Sequence, residues 1–233
     1  MTHSAPAWID ALPRNSLVAE LSIWSADLVR LAEDLARLGP HVDMLHVDVA
    51  DGHFAPAMLF FPDLVAAVRR LSTLPLHVHL MVADAIVVSQ VEQFADAGAD
   101  LISLHVENDA VADAALDAIA LRGRAAGMVL KVDTPVGSIR RYVSRLDFVT
   151  LLGTRIGVKG QDLDPAATSR LQEARAIIRG SGATHRIVLA ADGGIREHTV
   201  PLLRSAGAET VVLGSLATQA KSLEERMAWL RAL

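Results

Sequence analysis

The residues able to do chemistry in this sequence come as closely spaced polar pairs inside apolar runs. His46 and Asp48 stand in LHVDVADGHF, and His77 and His79 stand in LHVHLMV. On a strand, residues two apart share a face, so each pair presents two donors side by side. Asp192 stands directly before paired glycines in LAADGGI. Imidazole nitrogen and carboxylate oxygen are ligands for a divalent cation such as Zn, Fe, Mn or Co, and a buried charge is costly unless paired or metal-bound. His46, Asp48, His79 and Asp192, each near the C-terminal end of an expected strand, therefore form a candidate four-residue cation site. His77 is read as a packing or supporting histidine behind it.

Glycines supply a second feature. Gly193 and Gly194 follow Asp192, and Gly214 with Ser215 ends another strand just before a helix. Backbone N–H groups at such turns, backed by a helix N-terminus, can hold a phosphate; service in tight turns alone is the plainer alternative. The stretch GTRIGVKGQ, residues 153–161, is glycine-rich and basic and reads as a lid over an anionic ligand, with Arg155, Gly157, Lys159 and Gly160 as its candidate contacts. Gly157 to Gly160 also fits the GXXG of a nucleic-acid loop, but the surrounding KH pattern is absent.

These residues need a scaffold that gathers strand ends. Strand-like runs at about 17–23, 44–49, 76–82, 101–106, 128–132, 148–152, 186–191 and 210–214 alternate with helical patterns at about 27–38, 62–71, 85–97, 109–126, 136–143, 165–180, 199–206 and 223–233. Leu28, Leu31, Leu35 and Leu38 fall on one helical face, with Ser25 placed as N-cap and Asp27 in the first turn. Gly39, Gly98, Gly127 and Gly207 each follow a helical pattern where a positive φ would stop it. The repeated helix–Gly–strand unit implies parallel strands joined by helices, and its count suits an α/β fold of the (β/α)8 TIM barrel type. A doubly wound sheet would want a glycine fingerprint after the first strand, and SIWSAD has none. The expected organisation is an N-terminal extension over 1–16 and a single barrel domain over 17–233.

Composition narrows the function. The 52% hydrophobic and 4% aromatic content suits buried strands and helices better than a β-sandwich. With no cysteine, a disulfide scaffold, a cysteine nucleophile and a thiolate metal site are all excluded. A net charge of -5 leaves no basic footprint, so no nucleic-acid partner is expected. The N-terminal segment lacks the pattern of a signal peptide and no apolar run approaches the roughly 18 residues of a membrane helix, so a cytoplasmic protein without a membrane partner is expected.

LSIWSAD, HVDVADGHFAP, VHLMV, AGADLISLHVE, DTP, ADGGI and GS stand in the order and spacing of the ribulose-phosphate 3-epimerase family, which the sequence resembles from about residue 21 to 215. HVDV-x-DGHF followed by HLMV is specific to it, whereas the glycine pairs occur in many phosphate-binding barrels. The resemblance implies a ribulose-phosphate-binding barrel and an isomerase of carbohydrate and pentose phosphate metabolism. It implies a divalent metal at the residues matching His46, Asp48, His79 and Asp192, with Asp48 and Asp192 as the acid–base pair. Ser22, His79 and Met81 would position the substrate, and Gly193, Gly194, Gly214 and Ser215 would hold its phosphate. Family members are commonly oligomeric, so a homo-oligomer is expected, with Trp8 and Phe61 as exposed apolar hints. The chemistry would be inversion at C3 of a phosphorylated ketose. Two opposed carboxylates remove and return the proton, and a cation stabilises the enediolate.

Departures from the family pattern cluster at one mouth. Ala50 and Leu152 replace methionines, Ala57 and Lys131 replace asparagines, and Trp24 replaces a leucine. The lid has Ile156 and Val158 for Pro and Phe and gains Arg155 and Lys159. A pocket of altered shape and greater positive charge is expected, for a sugar phosphate other than ribulose 5-phosphate. The plainer alternative leaves Arg155 and Lys159 solvated and pairs Lys131 with Asp133. Two competing functions are a lyase or decarboxylase on a related barrel and a non-catalytic sugar-phosphate binder. The intact ligand set and both candidate bases disfavour them.

Overall fold

The structure, a computed structural model, describes residues 6–233. The first five residues of the expected N-terminal extension lie outside the described residues. The described residues form nine strands: β1 (Val18–Ser22), β2 (Met44–Asp51), β3 (Met58–Leu59), β4 (Leu76–Met81), β5 (Leu101–His105), β6 (Ala125–Leu130), β7 (Phe148–Leu152), β8 (Val188–Asp192) and β9 (Thr210–Leu213). All but β3 pair in parallel with their neighbours, and β1 pairs with both β9 and β2, which closes the sheet into an eight-stranded barrel. The two-residue β3 lies antiparallel on the end of β2. Around the barrel run α2 (Leu31–Leu38), α3 (Pro62–Leu71), α4 (Asp84–Asp96), α5 (Asp109–Leu121), α6 (Ala167–Gly180), α7 (Val200–Ala206), α8 (Ser215–Thr218) and α9 (Leu223–Arg231). The strands read as near-continuous apolar runs because helices cover their outer faces and neighbouring strands fill the interior. No described helix is long and apolar enough to cross a membrane.

The barrel interior changes character from bottom to top. At the N-terminal end Met44, Leu101, Phe148 and Val188 form an apolar layer, closed by Ile9 of α1 (Ala7–Ala11). Arg186 fixes α1 by donating to the carbonyls of Ile9, Leu12 and Pro13 while pairing with Glu209 at 3.0 Å. Trp8 is thereby half-buried, 6.3 Å from the Phe148 ring, rather than an exposed hint of assembly. One level higher, Glu20, His46, His77, Ser103 and Thr210 are fully buried. The parallel register sets His46 opposite His77 and Asp48 opposite His79, which carries the polar stack toward the C-terminal mouth.

Four local expectations need correction. The helix expected from 27 begins at Leu31, and Ser25 ends a short 3-10 turn without capping anything. Asp27 is the cause: its carboxylate accepts the Val29 N–H while its own N–H donates to Asp34, a turn that competes with helix and leaves Leu28 51% exposed. The helix expected over 109–126 stops at Leu121, because Gly123 at φ +63 reverses the chain and Ala125 already belongs to β6. A helix expected over 136–143 is instead a pair of 3-10 segments, Val136–Arg141 and Val143–Arg145. Gly98 and Gly207 do adopt positive φ, but Gly39 is right-handed helical and Gly127 lies inside β6.

Gly127 serves packing. A Cβ there would fall on the Ser103 hydroxyl, which is bonded to His77 Nε2 at 2.7 Å. Gly127→Ala should therefore destabilise the fold by about 1–3 kcal/mol through overpacking, read as a lower urea midpoint at unchanged slope.

Candidate metal and active site

Glu20 organises the polar stack. Its Oε2 accepts from His46 Nδ1 at 3.0 Å and His77 Nδ1 at 2.7 Å, and its Oε1 accepts from Thr210 Oγ1 at 3.1 Å. Burial alone would raise its pKa, yet His77 and His46 hold the carboxyl far below the usual carboxylate range. An ionised Glu20 is acceptor-only, so both Nδ1 atoms carry hydrogen and His46 turns Nε2 toward the mouth. That nitrogen is buried and has no hydrogen-bond partner among the described residues. It lies 3.3 Å from Asp48 Oδ1 and 3.9 Å from Asp192 Oδ2.

His79 approaches the same point from β4, with Nδ1 3.2 Å from Asp48 Oδ1 and 3.8 Å from Asp192 Oδ2. One ligand atom from each of His46, Asp48, His79 and Asp192 can be chosen so that all lie within 4.8 Å of one another. Two imidazole nitrogens, one of them orphaned, and two carboxylates fit a divalent cation of the kind His and Asp hold. Glu20, His46 and His77 also converge, but their atoms are already spent on one another.

The two aspartates differ sharply. Asp48 would be raised by burial, but His46 and His79 hold its carboxyl well below the usual range. Asp192 is pushed up to about 6 by burial and by the charge of Asp48, against the pull of His46 and His79. His46, despite burial, is raised well above an ordinary histidine by Asp48, Glu20 and Asp192. Separation of a carboxylate pair in this way suits one to accept and the other to give a proton.

Above the cluster opens a cavity of about 280 Å³, lined at its base by Ser22, Asp48, His79, Met81 and Asp192. Ser22 Oγ donates to Asp48 Oδ2 at 3.3 Å. Gly193 and Gly194, at φ +86 and +70, and Gly214 with Ser215 at the start of α8 line another part of the same wall. Thus the expected cation, acid–base, substrate and lid residues all line this cavity except His46, which lies beneath it with His77.

Residues 18–217 match the ribulose-phosphate 3 epimerase family. The chain belongs to that family. Among its relatives, ribulose-phosphate 3-epimerase 1 of Cupriavidus necator is 37% identical over 199 residues, covering 83% of this chain and 81% of that protein. The ribulose-phosphate 3-epimerase of Escherichia coli K12 is 35% identical over 198 residues (83% and 85%), and that of Chlamydia pneumoniae 32% over 223 residues (94% and 96%). Among solved structures, a 3-hexulose-6-phosphate synthase superposes with a TM-score of 0.66 at 17% identity, covering 93% of this chain and 99% of the other. KGPDC from Streptococcus mutans superposes with a TM-score of 0.68 at 15% identity, covering 92% and 99%. At those identities the likeness is one of fold.

Within the epimerase family frame, the lid has its own anchors. Lys159 Nζ donates to the Trp24 carbonyl at 2.5 Å and lies 4.4 Å from the centre of the Trp24 ring. Gln161 Nε2 donates to the carbonyls of Arg155 and Val158, and Gly157 packs against Pro56 with no room for a Cβ. Arg155 and Lys159 both line the cavity, and Arg196, which the sequence reading passed over, joins them. Lys131 does not line it. Its ammonium stacks 3.6 Å from the centre of the Phe54 ring instead of pairing with Asp133.

Also passed over were Glu20, Ser103, His105 and Glu107. The available signal was alternation: Glu20 and Ser22 in ELS, and His105 and Glu107 in HVE, repeat the two-residue spacing of His46 and Asp48.

A cation at this cluster competes with protons for His46, whose pKa is raised by Asp48, Glu20 and Asp192, and below about 6 for Asp192 as well. Zinc affinity should therefore fall as pH drops from 8 to 5, by roughly tenfold per pH unit for each proton displaced. Calorimetry in buffers of different ionisation enthalpy should read more protons released on binding near pH 5.5 than near pH 8.

Proposed function

We propose that the protein is a metal-dependent epimerase that inverts C3 of a phosphorylated ketose, either ribulose 5-phosphate and xylulose 5-phosphate or a related sugar phosphate. The observation that carries this reading is the pair Asp48 and Asp192: two carboxylates of opposite protonation tendency around one orphaned imidazole nitrogen, at the floor of a cavity with glycine turns in its wall.

The residues divide the work. The glycine turns at Gly193–Gly194 and Gly214–Ser215 would take the phosphate on backbone N–H groups and fix the sugar in register. Asp48, ionised and steadied by Ser22, would accept the proton from the carbon beside the ketone. Asp192 would return a proton from its own side, and the roles exchange for the reverse reaction. A divalent cation held by His46, Asp48, His79 and Asp192 would supply Lewis-acid stabilisation of the negative charge that develops on the ketose oxygens. Met81, packed with Ala50 and Ala55, would give the substrate an apolar side wall. The lid with Arg155, Gly157, Lys159 and Gly160 would exclude water above it.

Lys159 and Arg155 support a substrate that differs from the usual one at the lid end. Trp24 holds Lys159 over the mouth, and burial lowers the pKa of its ammonium while the charge of Asp48 opposes that. Lys159→Ala should raise KM for the preferred ketose phosphate several-fold at nearly unchanged kcat, because binding made equally in ground and transition states affects KM alone. Equal kinetics would return the lysine to solvent.

The decisive test of the reaction is solvent exchange. Zinc- or manganese-loaded protein in D₂O should place deuterium at C3 of a ketose phosphate of four to six carbons without carbon–carbon cleavage. Asp192→Asn should slow that exchange by about 10²–10⁴-fold. Cleavage would move the protein to the lyases, and binding without exchange to the sugar-phosphate binders.

A further inference from the structure

His79 has a support that none of the roles above uses. Its Nε2 lies 2.8 Å from His105 Nε2, and His105 Nδ1 lies 3.0 Å from Glu107 Oε2. Two imidazole nitrogens at that distance share one hydrogen, since two N–H groups would repel and two lone pairs would not attract. The owner of the hydrogen is decided at the far end. Glu107 Oε1 accepts the Lys131 N–H at 3.1 Å and the Thr134 hydroxyl, so the carboxylate is an acceptor on every side. It therefore demands N–H at His105 Nδ1. A neutral His105 is then left with a lone pair at Nε2, and His79 must supply the hydrogen there. His79 Nδ1 is then the ring atom left to face the mouth, within hydrogen-bond distance of Asp48 at 3.2 Å and 3.8 Å from Asp192.

We propose that His105 and Glu107 are positioning residues for His79, holding its hydrogen on Nε2 and aiming Nδ1 at the point where the four candidate ligands meet. The inference rests on reading those four residues as a cation site. The geometry around the relay is that of a fixed part. His105 is fully buried and stacks on His79 with ring centroids 5.0 Å apart and planes 28° from parallel. Phe54 lies 4.8 Å from the His105 ring, with the Lys131 ammonium on Phe54 in turn. The site thus backs each imidazole with a carboxylate: Glu20 directly on His46, and Glu107 on His79 through a second ring. Glu107 also ties the 131–134 loop to the relay, so a shift of that loop would be felt at the ligand.

Two measurements on the full chain test this. Histidine side-chain ¹⁵N–¹H correlation spectra of the metal-free wild type, at a pH where His105 is neutral, should show hydrogen on His105 Nδ1 and on His79 Nε2. Hydrogen on His105 Nε2, or a bare His79 Nε2, overturns the relay whatever the protein does with metal. Zinc titration then tests its consequence. His105→Phe keeps a ring against Phe54 but offers no acceptor, and should weaken zinc binding about 10–100-fold. His105→Gln, whose amide can accept from His79 and donate to Glu107, should recover part of that loss. Equal zinc affinity in wild type and the Phe variant overturns the relay alone. Failure of the wild type to bind zinc at all overturns the cation reading on which it rests.

Discussion

A carboxylate at zero exposure inside the barrel, Glu20, sets the terms for the site. A buried charge persists only where its partners satisfy it, and Glu20 meets that condition with two imidazoles and a threonine hydroxyl. The same bonds fix which nitrogen of His46 is free. That free nitrogen, placed among two aspartates and His79, is what turns a polar stack inside a barrel into a candidate metal centre. The apolar layer below it, sealed by Ile9 and held by Arg186, keeps water from the far end of the stack.

The barrel supplies the rest by register. Parallel pairing puts Ser22 beside His46 and, one level nearer the mouth, Asp48 beside His79, so residues from three strands join one stack. Asp192 comes from the opposite side at the end of β8, paired across from Leu152. The glycine turns follow the strand ends directly, which lets the same mouth carry a cation cluster and an anion cradle. Conflicting charges on one floor then push Asp48 and Asp192 apart in proton affinity.

Much of this was legible in the sequence, and the parts that were not share physical reasons. His46, Asp48, His79 and Asp192 could be found because strand alternation places them on one face and turn glycines mark the strand ends. Glu20 escaped notice because a lone acid inside an apolar run carries no local sign of its partners, which come from β2, β4 and β9. His105 and Glu107 show the same two-residue spacing, but their link to His79 is made only through space. Gly127 resembled a helix stop, yet its missing side chain makes room for Ser103, a neighbour 24 residues earlier. Lys131 looked like a mouth cation until Phe54 claimed it through space. At Ser25 a competing local turn at Asp27 prevailed over a sound capping pattern.

The relation to the epimerase family rests on sequence over most of the chain, and the lid is held by Trp24 clasping Lys159. What joins the two is the claim that a buried glutamate turns an unpartnered ligand nitrogen toward a cation. The most direct measurement is an anomalous-scattering map of crystals grown with zinc. The account requires one strong peak bound by His46 Nε2, His79 Nδ1, Asp48 and Asp192, with Glu20 still bonded to His46 Nδ1. A peak held by Glu20, His46 and His77, or density only at surface carboxylates, would contradict it.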